Sequence, residues 1–447
     1  PRTGRAPAPS MTPDPAPFGR AQGPLALAGL LALPLLLPGA PHPGRAQIDV
    51  HGAAPGARQL AELDRLLPGR PAPGAPQHQD PARWRAGFPG GRIPTAGQAD
   101  LGRQLFFDPR LSKDNTVSCA TCHDVTRAFA DRRPVSEGIG GQLGRRNAPT
   151  VMNAALLAPL FWDGRAADAE AQAVLPLTNP IEMGFADADE VLLRLAGIPE
   201  YAAAFEQQFE DGLTFANVGR ALGAFERTLL FLDAPFDRFL AGEQQALSAE
   251  ARAGWALFQG RAGCASCHPL APETPLGSDQ RFHNLGVGER PAELAPLAER
   301  VLASLAADPS EAELDRLALA TDLSALGRFV ITRERADIGA FKTPQLRNVG
   351  ITAPYMHDGS MITLWDVVDH LARGGQPHAF QSPLLTPLGL SDAEVDQLVA
   401  FLFSLTDQRF AEFNRQQFDF QRQRAKLRRP FRAAAPPGPQ DGPPSGP

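Results

Sequence analysis

One pentapeptide occurs twice in this chain, as Cys119-Ala120-Thr121-Cys122-His123 and as Cys264-Ala265-Ser266-Cys267-His268, and it limits the possible folds more than any other feature. Two thiols three positions apart, followed at once by an imidazole, can add across the two vinyl groups of a haem and offer an axial nitrogen to its iron. Four cysteines could alternatively build an all-thiolate zinc site, but such a site has no use for a histidine directly after each pair. A redox-active CxxC has none either. The sequence holds 4 cysteines in all, so two covalent haem c groups consume every thiol.

Upstream, Arg20 precedes an apolar run over 24–37 that is too short and too often interrupted by proline and glycine to span a bilayer. Gly44-Arg45-Ala46 follows as a small-x-small cleavage pattern. With Met11 read as the start, residues 1–46 are expected to be a signal peptide with an upstream extension, and the mature protein to be periplasmic. Export suits the cysteines, because haem is attached to thiols on the far side of the bacterial inner membrane. Four arginines and one aspartate lie in 1–46, so its removal takes the formal net charge from −6 to −9. An acidic chain without basic runs is a poor nucleic-acid binder. No later apolar run is long enough for a membrane helix, so no stable span is expected in the mature form.

The remaining chain of about 400 residues exceeds what one core usually holds, and two haem motifs suggest two domains. A second repeat supports a duplication: Pro149, Asn153, Pro159, Asp163 and Gly164 recur 195 positions later as Pro344, Asn348, Pro354, Asp358 and Gly359. The haem motifs are offset by only 145, so the second half carries about 50 extra residues, which fall in 276–338. There, 291–307 and 310–326 show leucine and alanine at helical spacing. Short matching helices precede each haem motif, Gly102-x-x-Leu105-Phe106 and Gly254-x-x-Leu257-Phe258. Further amphipathic helices are expected over 186–195, 215–232 and 391–404, the last opened by the capping box Ser391-Asp392-Ala393-Glu394. β signals are sparse, so the fold class is mainly α. The expected order is a partly extended segment at 47–94, a first domain at 95–238, a second at 239–425 with its insertion, and a disordered Pro-rich tail at 426–447.

From Leu101 to about Asp407 the chain resembles the bacterial di-haem cytochrome c peroxidases and their relative MauG. The matching stretches are Leu105-Phe106-Phe107-Asp108-Pro109-Arg110, the first CxxCH, Arg146-Asn147-Ala148-Pro149-Thr150, Phe161-Trp162-Asp163-Gly164-Arg165, Asn179-Pro180-Ile181-Glu182-Met183, the second CxxCH and Pro354-Tyr355-Met356-His357-Asp358-Gly359. The resemblance implies two cytochrome c-like helical domains facing each other. It assigns peroxide to the haem on His123 and electron entry to the haem on His268, with a small donor protein, a cytochrome c or a cupredoxin, as partner. By the same resemblance Glu182 is the acid–base group, Gln172 a second polar residue of the distal pocket and Trp162 an electron relay between haems. Burial beside a haem should raise the pKa of Glu182 and help it hold a proton. Asn147, Thr352 and Pro354 match positions that bind a calcium ion through oxygen ligands.

Two departures from the family pattern bear on function. A histidine on the loop after the first haem motif caps the resting peroxidatic iron in the standard peroxidases, and the matching position here is Ile139, which cannot ligate. The first iron is therefore expected to be five-coordinate or water-bound, as in MauG. Counting along the helix after Gly359 to the distal ligand of the second haem, methionine in the peroxidases and tyrosine in MauG, lands on Leu371. Met356 and His370 are the leading substitutes, ahead of His378, while His283 and His357 read as structural histidines. The expected activity is peroxide reduction to water. One alternative is a MauG-like enzyme that stores oxidising equivalents and withdraws electrons from a protein substrate, although Ala262 stands where MauG has its surface tryptophan. The other is a non-catalytic electron carrier, which Ile139 argues against.

Protein matured with a haem-attachment system should carry two covalent haems per chain. Replacing both cysteines of either CxxCH by alanine should remove one of them, as intact-protein mass and pyridine haemochrome analysis would show; zinc in place of iron would overturn the assignment.

Overall fold

The computed structural model describes residues 55–68, 93–271, 273–288, 291–320 and 323–428. The expected signal peptide, much of the 47–94 segment and the tail from 429 lie outside them. The described chain is mostly helical. Its named strands are one antiparallel pair, Phe282–His283 with Phe341–Lys342.

Each half is organised by a helix that meets its partner at a glycine. Ala96–Phe107 starts at a capping box, with Gln98 N donating to Thr95 Oγ1 at 3.1 Å and Thr95 N to Gln98 Oε1 at 3.3 Å. It packs on Phe215–Glu226 so closely at Gly102 that a Cβ there would lie 1.8 Å from the Ala221 carbonyl oxygen. In the second half Ala249–Gln259 packs on Asp392–Phe403, and a Cβ on Gly254 would lie 1.9 Å from Gln397 O. Phe106 meets Phe225 at 5.1 Å in one half and Phe258 meets Phe401 at 5.0 Å in the other, aromatic contacts that fix the helix faces. The glycine of each matched pre-motif helix is thus the point of closest backbone approach.

The 195-residue repeat is equally visible in backbone conformation. Asn153 and Asn348 both adopt the left-handed region, as do Phe161 and Met356, and Gly164 and Gly359. Short bridges close the same turn in each copy, Leu160 with Ala166 and Tyr355 with Met361. The two asparagines converge on one residue: Asn153 Nδ2 and Asn348 Nδ2 both donate to Phe231 O, at 3.2 and 3.0 Å, and Phe231 N donates to Asn153 Oδ1 at 2.8 Å. Asn348 Oδ1 in turn accepts from Asp407 N at 2.9 Å.

Within 276–338 the helices Pro291–Ala307 and Glu311–Leu319 build a satellite core with Leu294, Val301, Leu326 and Phe329. That core is latched to the first half. Arg328 Nη1 donates to Asp163 O and Gly164 O at 2.9 and 3.0 Å, and Arg146 Nη2 donates to Ser324 O at 3.1 Å.

Within the 47–94 segment, expected to be partly extended, the described residues include one helix, Pro55–Leu66. Leu63 and Leu66 bury its apolar side, and Gln59 is spent on the first haem motif, donating to Ala120 O at 3.1 Å and accepting from Val125 N at 3.3 Å. Tertiary contact therefore sets the conformation of this short helix.

Arg347 and Asp237 form a buried bidentate pair at 2.8 and 2.7 Å that ties the linker helix Pro235–Leu240 to the repeat. Arg347→Met would leave the Asp237 carboxylate buried without its cation and should cost about 3–5 kcal/mol. The check is a lower chemical-denaturation midpoint of the holoprotein; an unchanged midpoint would show that the pair adds nothing.

Candidate haem sites

The first CxxCH begins a single helical turn, Cys119–Cys122, preceded by Ser118. His123 Nδ1 lies 3.3 Å from Phe129 O. A carbonyl can only accept, so Nδ1 carries the proton and Nε2 keeps a lone pair for iron. The second motif repeats this arrangement, with His268 Nδ1 at 2.8 Å from Gly277 O. Burial pushes both imidazoles below the usual histidine range, opposed by these carbonyls, so each is neutral and fit to ligate.

On the first side, the helix Ala169–Thr178 carries half-buried Gln172 and ends at Asn179, whose carbonyl accepts from Glu182 N at 3.2 Å and Gly184 N at 2.9 Å. This turn presents Glu182 within electrostatic reach of both Cys119 and Cys122. Burial raises the Glu182 pKa above the usual carboxyl range, and Arg165 draws it back in part.

Ile139 is packed against that same turn. Its N–H donates to Glu182 O at 3.0 Å, and its side chain abuts Gly184 and the apolar cluster that includes Cys119. Gly138 permits the approach, since a Cβ there would lie 1.9 Å from Ile181 O. The structure thus brings Ile139 against the Glu182 turn, on the side of the first motif's Cys119 and Cys122.

On the second side an apolar cavity is walled by Cys264, Cys267, His268, Leu346, Tyr355 and Leu371, and Met356 also faces it. His370 does not: its Nε2 lies 2.8 Å from Leu285 O, which makes that nitrogen a donor and leaves it no lone pair for iron. Of the two leading substitutes, Met356 is the one placed on the wall. His378 is not among the wall residues and accepts from Phe380 N at 3.3 Å through Nδ1. His357, half-sandwiched on Phe341 at 3.6 Å, is pushed down to about 3 by burial, and His283 Nε2 pairs with Asp279 at 3.0 Å.

Trp162 also lines this cavity. Its Nε1 donates to Asn147 O at 2.9 Å and its ring meets His357 edge-on at 6.4 Å. The next residue, Asp163, is buried between two cations, with Arg146 at 2.7 Å and Arg165 at 2.9 Å. Burial alone would raise the Asp163 pKa, but Arg165 and Arg146 hold it below the usual range.

The di-haem cytochrome c peroxidase family model matches residues 96–245. The cytochrome-c peroxidase IdrP2 of Denitromonas iodatirespirans is 38% identical over 321 residues, covering 71% of this chain and 84% of that protein. This chain belongs to the di-haem cytochrome c peroxidase family. The methylamine utilization protein MauG of Methylorubrum extorquens is 37% identical, covering 70% of this chain and 78% of that protein. Among solved structures, a MauG-like protein associated with microbial copper homeostasis aligns with TM-score 0.59 at 31% identity, over 75% of this chain and 95% of that one. The diheme peroxidase BthA from Burkholderia thailandensis aligns with TM-score 0.55 at 26% identity, over 71% and 87%.

In this di-haem peroxidase Asn147, Thr352 and Pro354 all line the second cavity. Asn147 spends Nδ2 on Arg133 O and Pro134 O, both at 3.2 Å, which leaves its amide oxygen as the group to offer a cation. An amide oxygen with backbone carbonyls is a donor set of the kind calcium takes.

Sequence reasoning assigned no role to Arg165, Asp163 or Glu226, although two of them stand in the stretches that carry the family resemblance. Arg165 acts electrostatically on Glu182 while bonded to Asp163, so one ionic group joins Glu182 to the turn bearing Trp162. Glu226, buried at the end of its helix, is pushed up to about 8 by burial and acts electrostatically on Cys119. Nothing in local sequence distinguishes it from a solvent-facing helix glutamate.

Glu182→Gln keeps the shape of the turn and removes the titratable proton. Peroxide turnover of the holoenzyme should fall by about 10²–10⁴-fold, the usual contribution of a positioned acid–base group. Turnover near the wild-type value would assign proton transfer to another residue.

Proposed function

We propose that this protein reduces hydrogen peroxide to water, H2O2 + 2 e− + 2 H+ → 2 H2O, with electrons from a small redox protein such as a cytochrome c or a cupredoxin, in the periplasm after export. Among the described residues no helix is long and apolar enough to cross a membrane. Cys119, Cys122 and His123 would hold one haem, and Cys264, Cys267 and His268 the other, with Met356 the favoured distal partner of the second. Asn147 Oδ1 and the carbonyls of Thr352 and Pro354 would hold a calcium ion. When bound, the haems supply one-electron redox chemistry and, at the first site, an iron position open to peroxide.

The chain's own residues divide the remaining work. Glu182 would move a proton between the two oxygens of peroxide, which its raised pKa suits because the group must hold a proton between events. Arg165, between Glu182 and Asp163, limits how far that pKa rises. Trp162 lies on the cavity wall of the second site and next to the ionic group of the first, the placement an inter-site relay requires.

The single observation that carries this reading is Ile139 on the Glu182 turn. A histidine-capped enzyme needs a loop that chooses between two positions, and the bias comes from an iron contact made in only one of them. Ile139 can make no such contact. The site is therefore open at rest, unlike that of an electron carrier with both irons capped. The MauG-like alternative gains no support at the second motif, where Ala262 is buried in the core.

The fully oxidised holoprotein should show one high-spin ferric haem and consume peroxide without prior reduction, in steady state with reduced cytochrome c as donor. Ile139→His should give a low-spin resting form that reacts only after one-electron reduction. Two low-spin haems in the untreated wild type, with no reaction until an electron is added, would overturn the open-site reading.

A further inference from the structure

Lys342 is an unusual residue to find where it is. It lies on the strand Phe341–Lys342, paired across to Phe282, and its backbone N–H donates to Trp162 O at 2.8 Å, so its position is fixed by both the strand pair and the relay turn. The residue is 6% exposed and lines the second cavity with Cys267 and His268. Its Nζ has no hydrogen-bond partner among the described residues. Asp279, the acidic group that acts on it, is spent on His283 at 3.0 Å and forms no ion pair with the ammonium.

A buried ammonium without a counter-charge is among the costlier arrangements a fold can hold, and nearby apolar side chains cannot relieve it. Asp279, already paired with His283, offsets this only in part, and a further anion can enter with whatever fills the cavity. A haem attached at Cys264 and Cys267 brings two carboxylates on flexible arms, and Lys342 opens into the same space. We propose that the Lys342 ammonium is the counter-ion of a propionate carboxylate of the second haem, a positioning residue that also sets that haem's reduction potential. Burial draws the ammonium down to about 8, and a carboxylate partner would raise it again.

The sign of the effect follows from charge. Reduction adds an electron to the haem, so a nearby cation favours the reduced form. Removing the cation, and leaving the propionate uncompensated, favours the oxidised form.

The inference rests on the di-haem reading, and its test separates the two. Lys342→Met holoprotein should retain two covalent haems by mass. In a spectroelectrochemical titration one of its two reduction steps should move to lower potential by about tenfold in the redox equilibrium, about 59 mV for one electron, with the other step unchanged. Lys342→Arg should keep the wild-type potential. Two haems with both potentials unaltered in Lys342→Met would overturn the role of Lys342 and leave the haem assignment standing, whereas absence of covalent haem in the wild type would overturn the reading beneath it. If Lys342→Met fails to mature, the structure of the wild-type holoprotein decides. Nζ within about 4 Å of a haem carboxylate oxygen bears the proposal out, and a greater distance from all of them overturns it.

Discussion

Two buried asparagines hold the duplicated halves in register. Asn153 and Asn348 each stand in the left-handed conformation that a short polar side chain tolerates, and both direct an amide nitrogen at the carbonyl of Phe231. Each amide oxygen also accepts a backbone N–H, from Phe231 in one case and Asp407 in the other. Both asparagines are fully buried, so loss of either amide would strand several backbone groups at about 1–3 kcal/mol each.

From that symmetric frame the two sites diverge through a few side chains. The first meets a turn stocked with polar groups, Gln172, Asn179 and Glu182, closed by an isoleucine from the loop after the motif. The second meets Leu346, Leu371 and Tyr355 in a largely hydrocarbon wall. A polar, proton-holding pocket suits bond cleavage in peroxide, and an apolar one suits storage and passage of electrons. Between them the Phe161–Arg165 turn is held by Arg146, by Lys342 N and by Arg328 from the 276–338 insertion. The insertion thereby braces the turn that carries Trp162.

Much of this was legible in residue order because it depends on contiguous chemistry. CxxCH needs its three functional groups within five residues, and the helices Ala249–Gln259 and Asp392–Phe403 show their apolar periodicity locally. The helix Pro55–Leu66 was not legible, since the groups that stabilise it, Ala120 and Val125, lie some 60 positions away. The distal side of the second site was only half legible. Met356 and His370 were equivalent on paper, and they separate because Leu285 O claims the His370 nitrogen from across the fold.

The sequence by itself determined that the chain is a mainly helical, internally duplicated protein with two CxxCH motifs, because each of these is a property of covalent chemistry or short-range spacing. Only the tertiary structure decided that Arg165 acts on Glu182 while bonded to Asp163, that Glu226 acts electrostatically on Cys119, and that the buried Lys342 Nζ has no hydrogen-bond partner among the described residues. Those facts turn on burial and on charge at short distance, and neither exists until segments far apart in the chain have excluded water from one another.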